Sequence, residues 1–440
     1  MHPSKDRIVR DPLYGFIDLD LPFIVPVINT FPFQRLRWLA QTGVSSFTYP
    51  SSTHSRFSHS IGAMHVFRQI YESILSKEQL PEEEATHLLS LGCAAMLLHD
   101  IGHGPLSHLT EQPFDFNHEK VGIEVIENTD VGSILESNSI PGKKIREILN
   151  HTVTGNEAAI SQLVSSELDA DRLDYLVRDA YFTGVKFASI DVDRISHILT
   201  VYHEDGPING GVVLDKKGKY SIESYILARH IMYQDVYYHK TTRAVEVLIR
   251  NALSRAREIT PSKLKLPREL EFIRESAKDR ARTYQDILAL DDHLLYRTIN
   301  EWTKSDDEVL SNLCKRIVCR DILKSIELSR DREHEYHNGL SERIAQIAVR
   351  NGFREPSYFC STDFASETPY RPYKATSKRP EDKGKGSVIT SIYLWDGKNT
   401  PDEINDISDI VKLLTSKSYS SRLYVPGSIR DEVEGLFENP

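Results

Sequence analysis

Apolar residues recur at helical spacing through most of the first 260 positions. Val66, Ile70 and Ile74 stand at i, i+4 and i+8, which predicts a helix over about 60–78. Pro81 followed by Glu82, Glu83 and Glu84 opens another helix: proline suits a first turn, and acids suit the positive end of the helix dipole. The apolar run Leu88 to Leu98 carries that helix to about Gly102. Further helices fit 118–128, 143–151 and 156–181. Residues 210–222 predict a β-hairpin around a glycine-containing turn, with one long helix after it over about 223–257. At the start, Ile8-Val9-Arg10-Asp11-Pro12 reads as extended, and the helical segments after it are broken at Pro22, Pro26 and Pro32. Phe33, Leu36 and Leu39 share one face of a short helix.

After Pro261 the pattern changes to charged amphipathic helices, which run to about residue 351. Residues 365–387 are rich in Ser, Pro, Lys and Gly and predict a mobile loop. A strand over 388–394, a helix near 406–416, a strand at Leu423-Tyr424-Val425 and a last short helix follow. The expectation is a mainly α protein: a helical body over 1–260, a helical extension over 261–351, and a smaller α+β unit over 352–440.

Composition narrows the class. Forty per cent hydrophobic and 27% charged residues are ordinary for a globular protein, and 440 residues exceed one ordinary core. The net charge of −10, from 64 acidic and 54 basic residues, disfavours nucleic acid or an anionic membrane as the main partner. The longest apolar run has 11 residues, too short to span a bilayer. No signal segment opens the chain, so a cytoplasmic location is expected. Cys93, Cys314, Cys319 and Cys360 form neither a disulfide framework nor a zinc pattern.

Candidate chemistry is concentrated between residues 54 and 180. His59, the adjacent pair His99-Asp100 and Asp171 make a mixed N/O set suited to a hard or borderline divalent ion. Around the pair, an apolar helix runs into a glycine-rich turn carrying His103 and His108, with His118 beyond. His103 stands four residues after His99, one helical turn on. Alone, the pair is equally a polar helix cap whose imidazoles bond backbone carbonyls. Arg56, three residues before His59, gives the functional reading a phosphate-binding guanidinium. In Glu167–Asp179, Arg172, Tyr175 and Asp179 recur at i, i+3 and i+7, with Asp171, Asp174 and Arg178 on a shared face. A solvated helix of i,i+4 ion pairs would read similarly, but the interleaved tyrosine favours a polar pocket wall.

The order and spacing of these residues resemble the HD-domain metal-dependent phosphohydrolases. The strings Asp11-Pro12-Leu13-Tyr14-Gly15, Phe33-Gln34-Arg35-Leu36-Arg37, His54 through Ser60, His99 through His108, Asp171 through Asp179 and Tyr238-His239-Lys240 are similar to the deoxynucleoside triphosphate triphosphohydrolase branch. They keep family order across about 250 residues. The resemblance implies an HD-type helical catalytic body over 1–260. It also implies one divalent ion per subunit (Mg, Mn, Fe, Ni, Co or Zn), held by His59, His99, Asp100 and Asp171.

On the same resemblance, Arg56, Arg172 and Arg229 would bind phosphates, although the family commonly has lysine where Arg172 stands. Gln41 and Asp179 would bond the sugar 3′-hydroxyl, and Tyr175 and Tyr237 would press on the deoxyribose. His103, His108 and His118 would line the path of the reacting phosphate. Glu111, where aspartate is commoner, would orient His108. The implied partners are a dNTP and further copies of the chain, as dimers or tetramers. A regulatory nucleotide would meet Gln34, Arg37, His239 and Lys240, but Asn29 stands where activated members carry a guanine-binding aspartate. Turnover that is independent of GTP and dGTP, or stimulated by another nucleotide, is therefore expected. Other HD phosphohydrolase activities (nucleotidase, cyclic-dinucleotide phosphodiesterase, 3′ nuclease) share the ligand quartet, and a non-catalytic nucleotide sensor would share the fold.

Overall fold

The helix Arg56–Leu75 is the axis of the N-terminal body, flanked by Glu82–Leu98 and by Ala170–Thr183. These positions come from a computed structural model that describes residues 7–187, 189–204, 208–275, 282–372 and 390–438. Leu91 to Leu98 are all buried, so the second half of that helix has no polar face to mark its period, as expected where a helix is enclosed on every side. Ile70 and Ile74 lie in the same core, and truncating Ile70 to alanine would cost about 2–5 kcal/mol. The chain is mainly α, with three small sheets among the described residues.

Several elements depart from the sequence pattern, each for a local reason. The helix expected over 156–181 is two helices, Asn156–Val164 and Ala170–Thr183. Asp169 is extended (φ −133°, ψ 168°) and caps the second, its Oδ1 accepting from the Arg172 N–H at 2.7 Å. The intervening Glu167 N–H pairs with Thr390 O at 2.9 Å.

Residues 210–222 are not a hairpin. Val212–Asp215 pairs backwards, antiparallel with Leu199–Val201. The Asp215 carboxylate accepts from the Lys217 N–H at 2.8 Å and turns the chain into the helix Lys219–Met232. That helix does not continue to 257. A wide turn over Tyr233–Tyr237 interrupts it, and His239, extended, starts the separate helix Lys240–Glu258. The helix Glu82–Leu98 ends before the turn, so His103 is not on a helical face with His99.

In the C-terminal part, Ser418–Val425 is the centre of a three-stranded antiparallel sheet between Lys324–Glu327 and Ser361–Glu367. The strand expected over 388–394 is Tyr393–Trp395, and it joins Val212–Asp215 in parallel. The helix expected near 406–416 is two short ones, Ile404–Ile407 and Asp409–Leu413, separated at Ser408, which caps the second. Of the loop expected over 365–387, residues 365–367 finish a strand, and 373–389 lie outside the described residues. One core surrounds Arg56–Leu75 and takes in Leu394, Ile404 and Val411; a second gathers Lys240–Glu258 with Lys324–Glu327 and Ser418–Val425, and Phe116 touches both. No helix among the described residues is long and apolar enough to cross a membrane.

Candidate active site

The first turn of Arg56–Leu75 carries Arg56 and His59 into the space between the end of Glu82–Leu98 and the start of Ala170–Thr183. There His59 Nε2 lies 3.1 Å from Asp171 Oδ1, 3.4 Å from His99 Nε2 and 3.6 Å from Asp100 Oδ2. His99 Nε2 is 3.4 Å from both Asp100 Oδ1 and Asp171 Oδ1. Each imidazole is fixed through its other nitrogen. His59 Nδ1 pairs with Asp174 Oδ2 at 2.8 Å, and His99 Nδ1 donates to Met96 O at 2.7 Å. Both Nε2 atoms are thereby left facing the carboxylates, as metal-ligating histidines are oriented.

Burial opposes charging His59, yet its contacts with Asp171 and Asp174 outweigh burial and raise its pKa to about 10. A donor set with that much surplus negative charge fits a divalent cation. Within the quartet, His59, His99 and Asp100 place one donor atom each within 4.8 Å of one another.

Behind the quartet runs a buried chain of charges. Asp174 is fully buried and takes two hydrogen bonds from Arg178, Nε to Oδ2 at 2.8 Å and Nη2 to Oδ1 at 2.9 Å. Arg178 Nη1 reaches Asp11 Oδ2 at 2.8 Å. Asp11 is delivered by the turn between Ile8–Asp11 and Gly15–Asp18, where Asp11 Oδ1 accepts from the Leu13 N–H. Gly62 makes room for this pair: a Cβ there would stand 2.1 Å from Arg178 Nη2. Gly102 does the same for the histidine turn, since a Cβ would meet His118 O and Gly122 N at 2.2 Å.

His99, Asp100 and Asp171 line a cavity of about 640 Å³, a size suited to a small ligand. His103, His108 and His118 form one wall. His103 stacks on His118 with ring centroids 3.9 Å apart, and Glu111 Oε1 accepts from His108 Nδ1 at 2.5 Å and His118 Nδ1 at 3.0 Å. Burial, then the charges of Arg56 and His118, hold the His103 pKa well below the usual imidazole value, so it is neutral. Arg56 hydrogen-bonds Asp100 Oδ2, and Arg172 bonds Asp169 and Ser166 O. Asp179, also lining the cavity and buried, pairs with His54 Nε2 at 2.7 Å and accepts from Tyr237 Oη at 2.6 Å. Tyr175 meets Tyr237 edge to face at 6.3 Å. Four buried polar atoms of wall residues have no hydrogen-bond partner among the described residues: Arg56 Nε, Arg172 Nε, Gln41 Oε1 and His103 Nδ1. Unpaired buried polar atoms are uncommon and call for an explanation, here a polar ligand.

Not every expected residue reaches the cavity. Arg229 is buried beside it, its Nη1 bonded to Glu167 Oε2 at 2.8 Å. Asn29 is exposed; near it Gln34 Nε2 donates to Ile28 O, and Arg37 Nε to Gln34 Oε1. His239 and Lys240 lie at the start of the Lys240–Glu258 helix, and no hydrogen bond or ion pair among the described residues joins them to that group. Sequence reasoning assigned no role to His54 or to the Asp11–Arg178–Asp174 chain, although the i,i+4 spacing of Asp174 and Arg178 was a signal for part of it.

A helical body presenting a His, His-Asp, Asp quartet at one end of a polar cavity is the arrangement of a metal-dependent phosphohydrolase. The HD domain model matches residues 56–179 and a model described as HD associated region matches 190–348, and the chain belongs to the HD-domain family. Among its relatives is the uncharacterized protein YwfO of Bacillus subtilis, 30% identical over 429 residues that span 96% of this chain and 93% of that protein. The deoxynucleoside triphosphate triphosphohydrolase SAMHD1 homolog of Dictyostelium discoideum is 29% identical, over 80% of this chain and 66% of that protein. The crystal structure of a phosphohydrolase from Bacteroides thetaiotaomicron superposes with a TM-score of 0.79 at 29% identity, covering 96% of this chain and 100% of that one.

Proposed function

We propose that this protein hydrolyses deoxynucleoside triphosphates to deoxynucleoside and inorganic triphosphate. The observation that carries the reading is the set of groups that share one cavity. His99, Asp100 and Asp171 of the quartet, two arginines with unpaired Nε atoms, Gln41 and the linked Tyr175, Tyr237 and Asp179 all line it. The likeness to the Dictyostelium protein supports the substrate class.

His59, His99, Asp100 and Asp171 would hold the divalent ion, which when bound supplies Lewis-acid polarisation of a phosphoryl oxygen and acidifies water. Arg56 and Arg172 neutralise the phosphates, which is most of what phosphoryl transfer asks of a protein. Each would trade its carboxylate contact for a phosphate oxygen. His108, with Nδ1 tied to Glu111, presents Nε2 to protonate the departing 5′-oxygen. His103, neutral and stacked, holds His118 in place beneath it. Asp179 and Gln41 bind the 3′-hydroxyl, and Tyr175 and Tyr237 fill the space at C2′.

A ribose 2′-hydroxyl would overpack that wall at about 1–3 kcal/mol, roughly a five- to hundredfold loss in kcat/KM. The test compares dATP with ATP under Mn²⁺. A preference for dATP of that size is expected, and equal rates would contradict the sugar-wall assignment.

A further inference from the structure

The same cavity is lined from the helix Lys240–Glu258 by Arg243, Glu246 and Arg250, about one turn apart. Thr42, Gly43 and Ser45, which follow Gln41 in the chain, line it as well. Thr48 Oγ1 and Thr242 Oγ1, 2.9 Å apart, tie the two segments together. The wall is rigidly built. Arg243 is clamped by Asp363, Nε to Oδ2 at 2.8 Å and Nη2 to Oδ1 at 2.7 Å, and its Nη1 donates to Glu246 Oε2 at 2.6 Å. Glu246 Oε1 makes no hydrogen bond among the described residues. Arg250 makes none either, lying 3.6 Å from Asp363. A fixed acceptor and a guanidinium held only by a 3.6 Å ion pair therefore line the same cavity as Tyr175, Tyr237 and Gln41, the residues that would hold the sugar.

We propose that Glu246 and Arg250 read the base of the substrate and favour guanine; this rests on the cavity holding a deoxynucleoside triphosphate, as proposed above. A carboxylate only accepts, and a guanidinium only donates. Guanine offers N1–H and the 2-amino group side by side as donors, with O6 and N7 as acceptors. Adenine and cytosine each offer a single exocyclic donor group, and thymine has only N3–H between two carbonyls. Glu246 is matched best by guanine, with Arg250 reaching O6 or N7. Burial raises the Glu246 pKa, the Arg243 charge counters it, and Asp363 adds to it, which suits a carboxylate awaiting donors.

The test is competition in an equimolar mixture of dATP, dCTP, dGTP and dTTP with Mn²⁺, following each by anion-exchange chromatography. Relative losses then give ratios of kcat/KM on the same enzyme, whatever its state of activation. The wild type should consume dGTP roughly ten- to a hundredfold faster than dTTP, the range of one well-made bidentate base contact. Glu246→Gln, which pairs an acceptor with a donor, should cut the dGTP-to-dTTP ratio about tenfold and move preference towards dATP or dCTP. Arg250→Gln should also lower the ratio, and it carries the test if Glu246→Gln fails to fold. Triphosphate release with equal consumption of all four, or with a ratio unmoved by either variant, would overturn the base assignment and leave the hydrolase reading standing. If no dNTP is consumed, and none binds in equilibrium dialysis with Mn²⁺, both fall together.

Discussion

Asp174→Asn probes the link between the buried charge chain and the ligand quartet. Asp174 touches no cavity, yet it fixes His59 Nδ1 at 2.8 Å and carries both bonds from Arg178. An asparagine keeps the shape but offers one acceptor oxygen to three donors, and its amide adds two donors of its own. His59 would lose the partner that sets its tautomer, which typically costs ten- to a hundredfold in metal affinity, or about 1.4–2.8 kcal/mol. Arg178 would keep only Asp11 for its charge. Removing one member of a buried pair costs about 3–5 kcal/mol, and the retained Asp11 contact places this variant near the lower end. The assay is Mn²⁺ titration followed by the electron paramagnetic resonance of the free ion, alongside guanidinium unfolding. Asp11→Asn supplies a graded control: it should lower stability while shifting Mn²⁺ affinity much less. A variant Asp174→Asn that binds Mn²⁺ within twofold of wild type would refute the claim that this chain tunes the ligands.

His108→Ala should lower kcat about a hundred- to ten-thousandfold, the usual range for a general acid, while Mn²⁺ binding stays intact. Loss of the ion instead would make His108 a ligand or prop and pass the acid role to another histidine. Regulation is tested by initial rates on dTTP with and without micromolar dGTP. Asn29 cannot match both hydrogens of guanine as an aspartate does, a mismatch of about 1–3 kcal/mol, so no dGTP-specific activation is expected. A large one would show that Asn29 is immaterial.

The quartet was legible as a mixed N/O donor set only together with its neighbours and the family spacing, since the His99-Asp100 pair alone reads equally as a helix cap. Arg172, Tyr175 and Asp179 stood out as an unusual charge and tyrosine pattern on one helical face. Gln41 and Tyr237, on segments without such a pattern, came only from family resemblance. What the sequence hid depends on backbone breaks. The interruption at Tyr233–Tyr237 carries no proline or glycine, yet it turns Tyr237 towards Asp179, and a continuous helical period over 223–257 conceals it. The break at 165–169 is written only in Asp169, which as a cap looks like one more charge in an acidic run. Partners distant in sequence were equally invisible: Asp363, 120 residues from Arg243, fixes the wall that holds Glu246. Arg229 shows the converse case. Its position in the chain suggested a phosphate contact, while in the fold it is paired with Glu167.

The central claim is that the cavity cuts a dNTP at its α-phosphate and releases the three phosphates as one piece. It is tested most directly by incubating each dNTP with Mg²⁺ or Mn²⁺ and resolving the products by anion exchange, with Asp171→Ala as the control. Deoxynucleoside and inorganic triphosphate in equal amounts are expected, and neither with the variant. Deoxynucleoside monophosphate with pyrophosphate, orthophosphate alone, or undiminished turnover by Asp171→Ala would contradict it.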